Sequence, residues 1–278
     1  MRITIIGAGR VGQTIGRLAR EAGYEIGDVV CRSRHSARRA VRFIGAGNPQ
    51  AARGALLSPA DLLLISTTDD RIEEAVALIE SNVEALKGAV ALHTSGAVSS
   101  EALSSLIAYG ISTGSCHPLQ TFESPARSLA LIRQSYFCIE GSPRAARAAR
   151  LLVRRLGARH FEINTEMKEL YHAAAVMASG GVVSLLSISL EMLARCGLDE
   201  HKSRRVLLPL VEATVANVRS IGPVRALTGP VRRGDTKTIE RNKRALAEID
   251  SRWLQIYQLL TENSLASLAS RESSASRS

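Results

Sequence analysis

The sequence predicts an α/β fold in which a doubly wound, mostly parallel sheet at the N-terminus is followed by an all-helical C-terminal domain. Two observations predict it. Up to residue 163, short apolar runs alternate with helix-like segments, and from residue 164 onward only long helical patterns occur. Strands that alternate with helices of about 10–15 residues are typical of parallel sheets. The chain of 278 residues is long enough for two domains, which we expect at 1–163 and 164–278.

The first predicted strand is typical of a strand that is buried on both faces of a sheet. Its sequence, RITIIG, is short and apolar and ends in glycine. The predicted strands of the first domain are 2–7, 26–31, 61–66, 88–93, 112–117, 136–140 and 160–163. The predicted helices between them are 11–22, 70–86, 101–108 and 143–156.

The second domain is predicted to contain helices at 166–195, 201–220, 236–249 and 252–268. Gly197 is a predicted helix stop, and Asp199 is a predicted cap of the next helix. Pro209 predicts a kink, because proline removes a backbone hydrogen bond. A Gly- and Pro-rich segment predicts a break between helices at 222–235, and the polar end of the chain predicts a frayed tail at 265–278.

The formal charge of +10 raises the question of a nucleic-acid partner, but the rest of the composition argues against one. Only five of the 36 basic residues are lysine, and the arginines are spread along almost the whole chain. The aromatic content of 4% is low for a surface on which bases stack. We therefore expect the charge to attract a small anionic ligand, and we expect no nucleic acid.

The remaining composition predicts a cytoplasmic protein without a metal. The four cysteines are widely scattered and show no spacing of metal ligands. The N-terminus shows no signal-peptide pattern. We also expect that no apolar run approaches the roughly 18–20 uncharged residues needed to cross a bilayer, and hence no membrane partner.

A glycine-rich turn follows the first predicted strand and opens the first predicted helix. Its sequence is Gly7-Ala8-Gly9-Arg10-Val11-Gly12, which fits the GxGxxG pattern of a Rossmann domain in the required strand–turn–helix context. The first glycine permits a tight turn, the second lets the backbone approach a pyrophosphate, and the third lets helix and strand pack closely. The N-terminus of the helix offers free N–H groups to the anion. The motif therefore predicts a bound dinucleotide.

The end of the second predicted strand indicates which dinucleotide is bound. NAD sites usually place an acidic residue there, whereas this chain has Arg32, Ser33 and Arg34. Arginine and hydroxyl groups suit a 2′-phosphate, which predicts NADP. The alternative is that both arginines are ordinary surface residues of an arginine-rich chain.

Four further segments carry a family resemblance: HTSGAVSS (93–100), SCHPLQTF (115–122), KELYHAAAVMAS (168–179) and ALTGPVRRGD (226–235). With the glycine-rich turn, they resemble a bacterial family of Rossmann-like oxidoreductases whose C-terminal helical domain is of unknown function. That family is similar to the 6-phosphogluconate dehydrogenase superfamily, which includes ketopantoate and pyrroline-5-carboxylate reductases. The resemblance implies an NADPH-dependent reductase and, by analogy, a homodimer. One departure is Gly180, which stands where the family pattern has an asparagine.

The resemblance also implies the groups that supply a proton to the reduced substrate. The acid/base lysine of the superfamily lies early on the first helix of the helical domain, where this chain has Lys168. His172 lies four residues later on the same helical face, as an orienting group or second donor. The alternative for His172 is a core histidine bonded to a backbone carbonyl.

Substrate-binding candidates come from loops at strand ends and from the break between the helices of the second domain. The resemblance implies that the turn Ser95-Gly96 contacts the substrate, and His117, which ends a strand, either lines the same cleft or forms a structural turn. Ligands of open α/β sheets collect at the carboxyl edge, which selects Ser66 and Thr67 for the cofactor. The stiff loop of the second domain adds Thr228, Arg233 and Asp235. Arg233 could clamp a carboxylate with Asp235 holding it, or the two could form a salt bridge that closes the loop.

These observations predict an NADPH-dependent oxidoreductase that reduces a small anionic 2-oxo acid, with ketopantoate as the first candidate. One alternative is a pyrroline-5-carboxylate-like imine reductase. The other is a sensor or regulator that binds NADP without turnover.

Overall fold

The computed structural model describes residues 1–275, and the chain divides into two compact units, the first ending at Gly180 and the second beginning at Gly181. The predicted order, a mostly parallel sheet followed by helices, is confirmed. The first helix after the sheet stays with the first unit, so the observed boundary lies later than residue 163. This helix belongs to the first unit because its Lys168 is only 1% exposed and packs against the sheet.

The sheet of the first unit has eight strands in the order β3-β2-β1-β4-β5-β6-β7-β8, and every pair is parallel except β6 with β7. The strands are β1 Arg2–Ile6, β2 Glu25–Cys31, β3 Asn48–Ala51, β4 Leu62–Ile65, β5 Val90–His93, β6 Ser112–Leu119, β7 Tyr136–Gly141 and β8 Arg159–Glu162. The strand order reverses direction between β1 and β4. In open α/β sheets, such a reversal leaves a crevice at the carboxyl edge in which ligands bind.

Helices cover both faces of this sheet. They are α1 Arg10–Glu21, α2 Arg34–Ile44, α3 Ile72–Glu80, α4 Val83–Leu86, α5 Pro125–Ile132, α6 Pro143–Arg155 and α7 Lys168–Val176. The single helix predicted at 70–86 is divided into a 3-10 turn, α3 and α4, and the helix predicted at 101–108 is a 3-10 helix, Ser100–Tyr109. Helices α2 and α5 and strand β3 were not predicted from the sequence.

Alternate residues of the central strands build two separate apolar cores. Ile5 and Leu64 face a core shared with α1 and α6, whereas Ile6 and Leu63 face a core shared with α3. All four side chains are at most 3% exposed. Burial of each such side chain stabilises the fold by roughly 1.5–3 kcal/mol, so the sheet is a rigid platform for its carboxyl edge.

The second unit is helical, with α8 Val182–Arg195, α9 Glu200–Ile221, α10 Pro223–Ala226, α11 Gly229–Arg233, α12 Thr236–Ala247 and α13 Ser251–Ala275. The predicted stop and cap are confirmed, because Gly197 has φ +88° and the Asp199 carboxylate accepts a hydrogen bond of 2.8 Å from the backbone N–H of Lys202. Pro209 lies inside α9, which continues on both sides of it. Helix α13 continues past residue 265, and the last part of the predicted tail, 276–278, lies outside the described residues.

One expectation about membranes is wrong. The helical stretch Thr165–Arg195 has a mean hydropathy of 1.9 over its most apolar window, and by length and composition it could cross a bilayer. Residues 170–190 contain no Asp, Glu, Lys or Arg, and the residues between the apolar ones are serine, glycine and histidine. This run was overlooked in the sequence because these small polar residues interrupt it. Length and composition alone are weak evidence for a membrane span.

Candidate functional site

The glycine-rich turn connects β1 to α1 and packs against the end of β4. Gly7 has φ +86°, and a Cβ there would lie 2.6 Å from the backbone nitrogen of Thr67. A Cβ at Gly12 would collide with Ser66 Oγ, which donates a hydrogen bond of 2.8 Å to the Gly7 carbonyl. A Cβ at Gly9 would meet only the Gly7 carbonyl oxygen, 4.0 Å away. Gly7 and Gly12 therefore permit close packing, and Gly9 leaves the backbone open to a ligand.

A cavity of about 480 Å³ opens beside this turn, at the carboxyl ends of β1, β2 and β4. Its charged lining residues are Arg10, Arg32, Arg39, Arg71 and Glu74. Arg71 and Glu74 form an ion pair of 3.1 Å, which leaves the other three arginines as the excess positive charge. Because the N-terminus of α1 adds free N–H groups, the residues present fit the phosphates of a dinucleotide.

The cofactor-binding residues predicted from the sequence divide into two groups. Gly7, Gly9, Arg10, Arg32, Ser66 and Thr67 line the cavity. The others lie outside the lining: Val11 packs against the apolar core, Gly12 packs against Ser66, and Arg34 is exposed. Ser33 caps α2 by accepting a 3.2 Å hydrogen bond from the Ser36 N–H. Arg39 and Ser36 line the cavity but were missed, because α2, which carries both, was not predicted.

A row of polar side chains crosses three neighbouring strands farther along the same edge. His93 on β5 pairs with Ser115 on β6, which pairs with Glu140 on β7. All three residues are at most 3% exposed. Residues that pair directly across neighbouring strands point to the same face of a sheet. The three side chains therefore form a buried polar layer under α7.

Glu140 and Lys168 are the two charges of this layer. Glu140 accepts hydrogen bonds from the N–H of Ser100 (2.9 Å), from the hydroxyl of Ser100 (2.7 Å) and from the hydroxyl of Thr165 (3.1 Å). Lys168 Nζ donates a hydrogen bond to Ser115 Oγ and lies 3.9 Å from Glu140 Oε1. Burial lowers the pKa of Lys168, while Cys138 and Glu140 act in the opposite direction. Lys168 is not among the residues that line either cavity described here.

A second cavity, of about 650 Å³, lies between the end of β6 and helix α7. The aromatic and imidazole side chains that line it are His117, Phe161, Tyr171 and His172. His117 Nδ1 and the Tyr171 hydroxyl are 2.7 Å apart, and the ring centroids of His117 and His172 are 5.8 Å apart. None of the described residues that line this cavity is Asp, Glu, Lys or Arg.

Gly96, at the end of β5, leaves room for the imidazole rings of His117 and His172. A Cβ at this position would lie 2.8 Å from His117 Nε2 and would collide with His172 Nδ1. The Nδ1 atom of His172 is buried and has no hydrogen-bond partner among the described residues. The predicted residues Gly96, His117 and His172 are thus brought together within the first unit.

Protonation in this cluster is controlled by burial. Burial lowers the pKa of His117 to about 4, with a further contribution from the charge of Lys168. Burial raises the pKa of Tyr171. Near neutral pH, both side chains are therefore uncharged and protonated at one position each.

Ser95 lies next to this cluster, but its hydroxyl has a local role. Ser95 Oγ accepts hydrogen bonds from the backbone N–H groups of Ala97 (3.2 Å) and Val98 (3.0 Å). Its own N–H donates a 3.2 Å hydrogen bond to His93 Nδ1. Ser95 therefore shapes the turn that carries Gly96.

Comparison with known proteins identifies both parts of the chain. Residues 1–118 match the family model of a Rossmann-like domain, and residues 135–264 match that of a domain of unknown function, DUF2520. The chain combines a Rossmann-like domain with a DUF2520 domain. The resemblance to a bacterial Rossmann-like family with a C-terminal domain of unknown function is confirmed. No curated protein matches the chain.

Three solved structures are similar to this Rossmann-like and DUF2520 chain over nearly its whole length. Protein TM1727 from Thermotoga maritima is 24% identical, with 97% of this chain and 99% of that chain covered and a TM-score of 0.78. BF3122 from Bacteroides fragilis, whose name provisionally assigns it to the NADP oxidoreductases, is 25% identical, with 95% and 98% covered and a TM-score of 0.75. An imine reductase from Streptomyces aurantiacus is 16% identical, with 98% and 99% covered and a TM-score of 0.64, which shows a shared fold.

The DUF2520 domain contains the predicted loop residues Thr228, Arg233 and Asp235. Thr228 precedes α11, which ends at Arg233, and the Asp235 carboxylate caps α12. It accepts hydrogen bonds from the N–H (3.0 Å) and the hydroxyl (2.7 Å) of Thr238, which lower the pKa of Asp235. Asp235 therefore has a local capping role in the second unit, and a substrate contact of the three residues stays a prediction.

Gly180, the departure from the family pattern, lies in the DUF2520 domain within a π-helical turn, Met177–Gly181. This turn separates α7 from α8, which were predicted as one helix. A Cβ at Gly180 would meet only a Val176 methyl carbon, 4.0 Å away. Packing therefore does not require glycine at this position.

Proposed function

We propose that this protein is a nicotinamide-dependent oxidoreductase that uses NADPH to reduce a small anionic 2-oxo acid, with ketopantoate as the first candidate. The observation that carries the proposal is a pair of cavities at one sheet edge. One cavity is cationic and lies beside the GxGxxG turn, and the other is lined by His117, Tyr171 and His172. The names of the similar structures, an NADP oxidoreductase and an imine reductase, support the same class of reaction.

NADPH, when bound, supplies a hydride. In this proposal, the glycine-rich turn and the N-terminus of α1 bind the pyrophosphate of the cofactor. Arg32 and Arg39, which both line the cationic cavity, bind the 2′-phosphate. An acidic residue that would bind both ribose hydroxyls of NADH is absent from the Arg32–Ser33–Arg34 segment.

The reduced oxygen needs a proton, and His172 is the donor that we propose. It lies in the wall of the second cavity, whereas the ammonium group of Lys168 is buried against Ser115 and Glu140. We assign Lys168 a positioning role in place of the donor role that the family resemblance implies. Lys168 anchors α7 to the sheet and so fixes the direction of His172, four residues later.

Reduction of an imine is the second candidate, and one observation favours it. None of the described residues that line the second cavity is Asp, Glu, Lys or Arg, and His117 is neutral there, so an uncharged imine loses little solvation energy on entry. A 2-oxo acid, like pyrroline-5-carboxylate, would need a partner for its carboxylate, for which the backbone N–H groups at Gly96 are the candidates.

The experiment that tests the function measures NADPH consumption with a panel of substrates. The panel contains 2-oxo acids, including ketopantoate, and cyclic imines, including pyrroline-5-carboxylate. We expect turnover of at least one member of the panel by the wild type and its loss in His172→Asn. A protein that binds NADPH tightly but reduces no member of the panel would contradict the proposal and would favour a sensor.

A homodimer is part of the proposal. Helix α8 exposes Val183 (66%), and helix α9 exposes Leu210 (64%) and Val215 (60%), although all three are apolar. Apolar side chains exposed on two helices that pack together are typical of an interface, and a second copy of this chain is the occupant that we propose. Analytical ultracentrifugation should show a dimer that Leu210→Glu dissociates. A monomer that instead co-sediments with lipid vesicles would contradict this assignment.

A further inference from the structure

We propose that Tyr171 is a positioning residue that fixes the tautomer of His117, so that the neutral imidazole presents its Nε2 N–H group to the substrate oxygen. This inference rests on the proposed reductase function and assigns a further group to the same site. It gives His117 a catalytic role as a hydrogen-bond donor that does not lose its proton.

The geometry of the pair is that of a well-formed hydrogen bond. The Tyr171 hydroxyl and His117 Nδ1 are 2.7 Å apart, within the normal range for a hydroxyl donor. The Tyr171 ring is held on both sides, because its centroid lies 5.7 Å from that of His117 and 5.7 Å from that of Phe161, with both contacts edge-to-face. Lys168 Nζ lies 5.9 Å from the centre of the same ring, which ties it to the buried polar layer.

The direction of the hydrogen bond follows from the chemistry of the two groups. A phenol hydroxyl is a strong donor, and the unprotonated nitrogen of a neutral imidazole is a strong acceptor. The Tyr171 hydroxyl also contacts Cys138, but burial raises the pKa of that thiol, which stays protonated and does not compete as a thiolate acceptor. The hydroxyl of Tyr171 therefore donates to Nδ1 of His117. Because a neutral imidazole carries a single N–H group, the proton of His117 lies on Nε2.

The Nε2–H tautomer of His117 can stabilise the negative charge that develops on the substrate oxygen. Gly96 lies against His117 Nε2 and His172 Nδ1 at the end of β5, and both histidines line the second cavity. When the carbonyl carbon accepts a hydride, negative charge develops on the oxygen. His117 donates a hydrogen bond to that oxygen and keeps its proton, while the imidazolium form of His172 transfers the proton that forms the hydroxyl and becomes a neutral imidazole. Donors aimed at such a charge typically contribute about 10²–10³ in rate.

The test combines a spectroscopic readout with kinetics on the full chain. Long-range ¹⁵N NMR of histidine-labelled protein, with His117 assigned from a His117→Gln variant, reports the tautomer in the resting protein. We expect the Nε2–H tautomer in the wild type and a mixture with Nδ1–H in Tyr171→Phe. We also expect kcat to fall at least tenfold in Tyr171→Phe, with little change in KM, NADPH affinity or Tm.

Tyr136→Phe is the matched control, because Tyr136 also packs against Phe161 but has its hydroxyl at Arg159. It should keep the wild-type tautomer and kcat. An Nδ1–H tautomer in the wild type, or an unchanged tautomer or kcat in Tyr171→Phe, would overturn the inference. Because the spectrum needs no substrate, failure to find a substrate would count against the proposed function and not against the tautomer.

Discussion

Lys168 and Glu140 form a buried pair in which both side chains are 1% exposed and Nζ lies 3.9 Å from Oε1. The pair connects α7, which carries Tyr171 and His172, to β7 of the sheet. Each charge also has hydrogen-bond partners, which is the condition under which a buried ion pair is tolerated.

Lys168→Met should lower the free energy of unfolding by about 3–5 kcal/mol, because it leaves the carboxylate of Glu140 buried without its cation. Adding Glu140→Gln should recover much of this loss, since no unpaired charge then remains. Lys243→Met, which removes a surface pair with Glu240, is the control and should change the free energy of unfolding little. Chemical denaturation of the wild type and the three variants measures these effects. A loss below 1 kcal/mol in Lys168→Met would show that the pair does not anchor α7.

His172→Asn should reduce turnover by about 10²–10⁴, the usual contribution of a general acid. NADPH affinity should stay within about twofold, because the cofactor cavity is lined by other residues. Steady-state kinetics and cofactor titration measure the two effects separately, with exposed His201→Asn as the control. Turnover of His172→Asn within threefold of the wild type would remove this residue from the mechanism.

The stability of the protein should fall as the pH is lowered from about 6.5 to about 4. Burial lowers the pKa of both His93 and His117 to about 4, below the 6.5 of an ordinary histidine. Between these values, the unfolded chain binds protons that the folded chain does not, so acid favours unfolding. Each histidine contributes a slope of up to about 1.4 kcal/mol per pH unit.

His93→Asn tests this origin of the pH dependence, because asparagine keeps an acceptor for the Ser95 N–H but does not titrate. The variant should show a shallower decrease in unfolding free energy between pH 6.5 and pH 4 than the wild type. His201→Asn should leave the slope unchanged. Equal slopes in His93→Asn and the wild type would mean that His93 does not contribute.

Gly12→Ala should weaken NADPH binding at least tenfold and lower Tm, since the added methyl group collides with Ser66 Oγ. The double variant Gly12→Ala/Ser66→Ala removes that oxygen and should recover part of both losses. Gly180→Ala, at a glycine whose Cβ would meet only Val176, should change neither. If the double variant binds NADPH no better than Gly12→Ala, then a contact of Gly12 other than Ser66 Oγ causes the loss of binding.

The sequence predicts the sheet and the glycine-rich turn well because their signals are local. The run RITIIG and the GxGxxG turn lie within one strand–helix unit, and both are confirmed. The missed helix α2 contains five arginine and histidine residues among eleven, which hides its short apolar face. Strand β3, Asn48–Ala51, contains a proline and lies at the sheet edge, where it resembles a loop.

The candidate site was predicted less completely because it depends on contacts between distant residues. Lys168 and His172 were expected to act together, but helical spacing does not show that Ser115 and Glu140 bury the lysine. Tyr171 was not singled out, although it lies beside His172 in the sequence. Its importance comes from His117, which is 54 positions away.

The most direct test of the central structural claim, that the cationic cavity beside the glycine-rich turn binds NADPH, is a titration of the wild type with NADPH and NADH by cofactor fluorescence. We expect NADPH to bind at least tenfold more tightly, which corresponds to about 1.4 kcal/mol. We expect Arg32→Ala and Arg39→Ala to reduce this preference, whereas Arg34→Ala, outside the cavity lining, should leave it unchanged. Equal affinities, or a preference for NADH, would contradict the account.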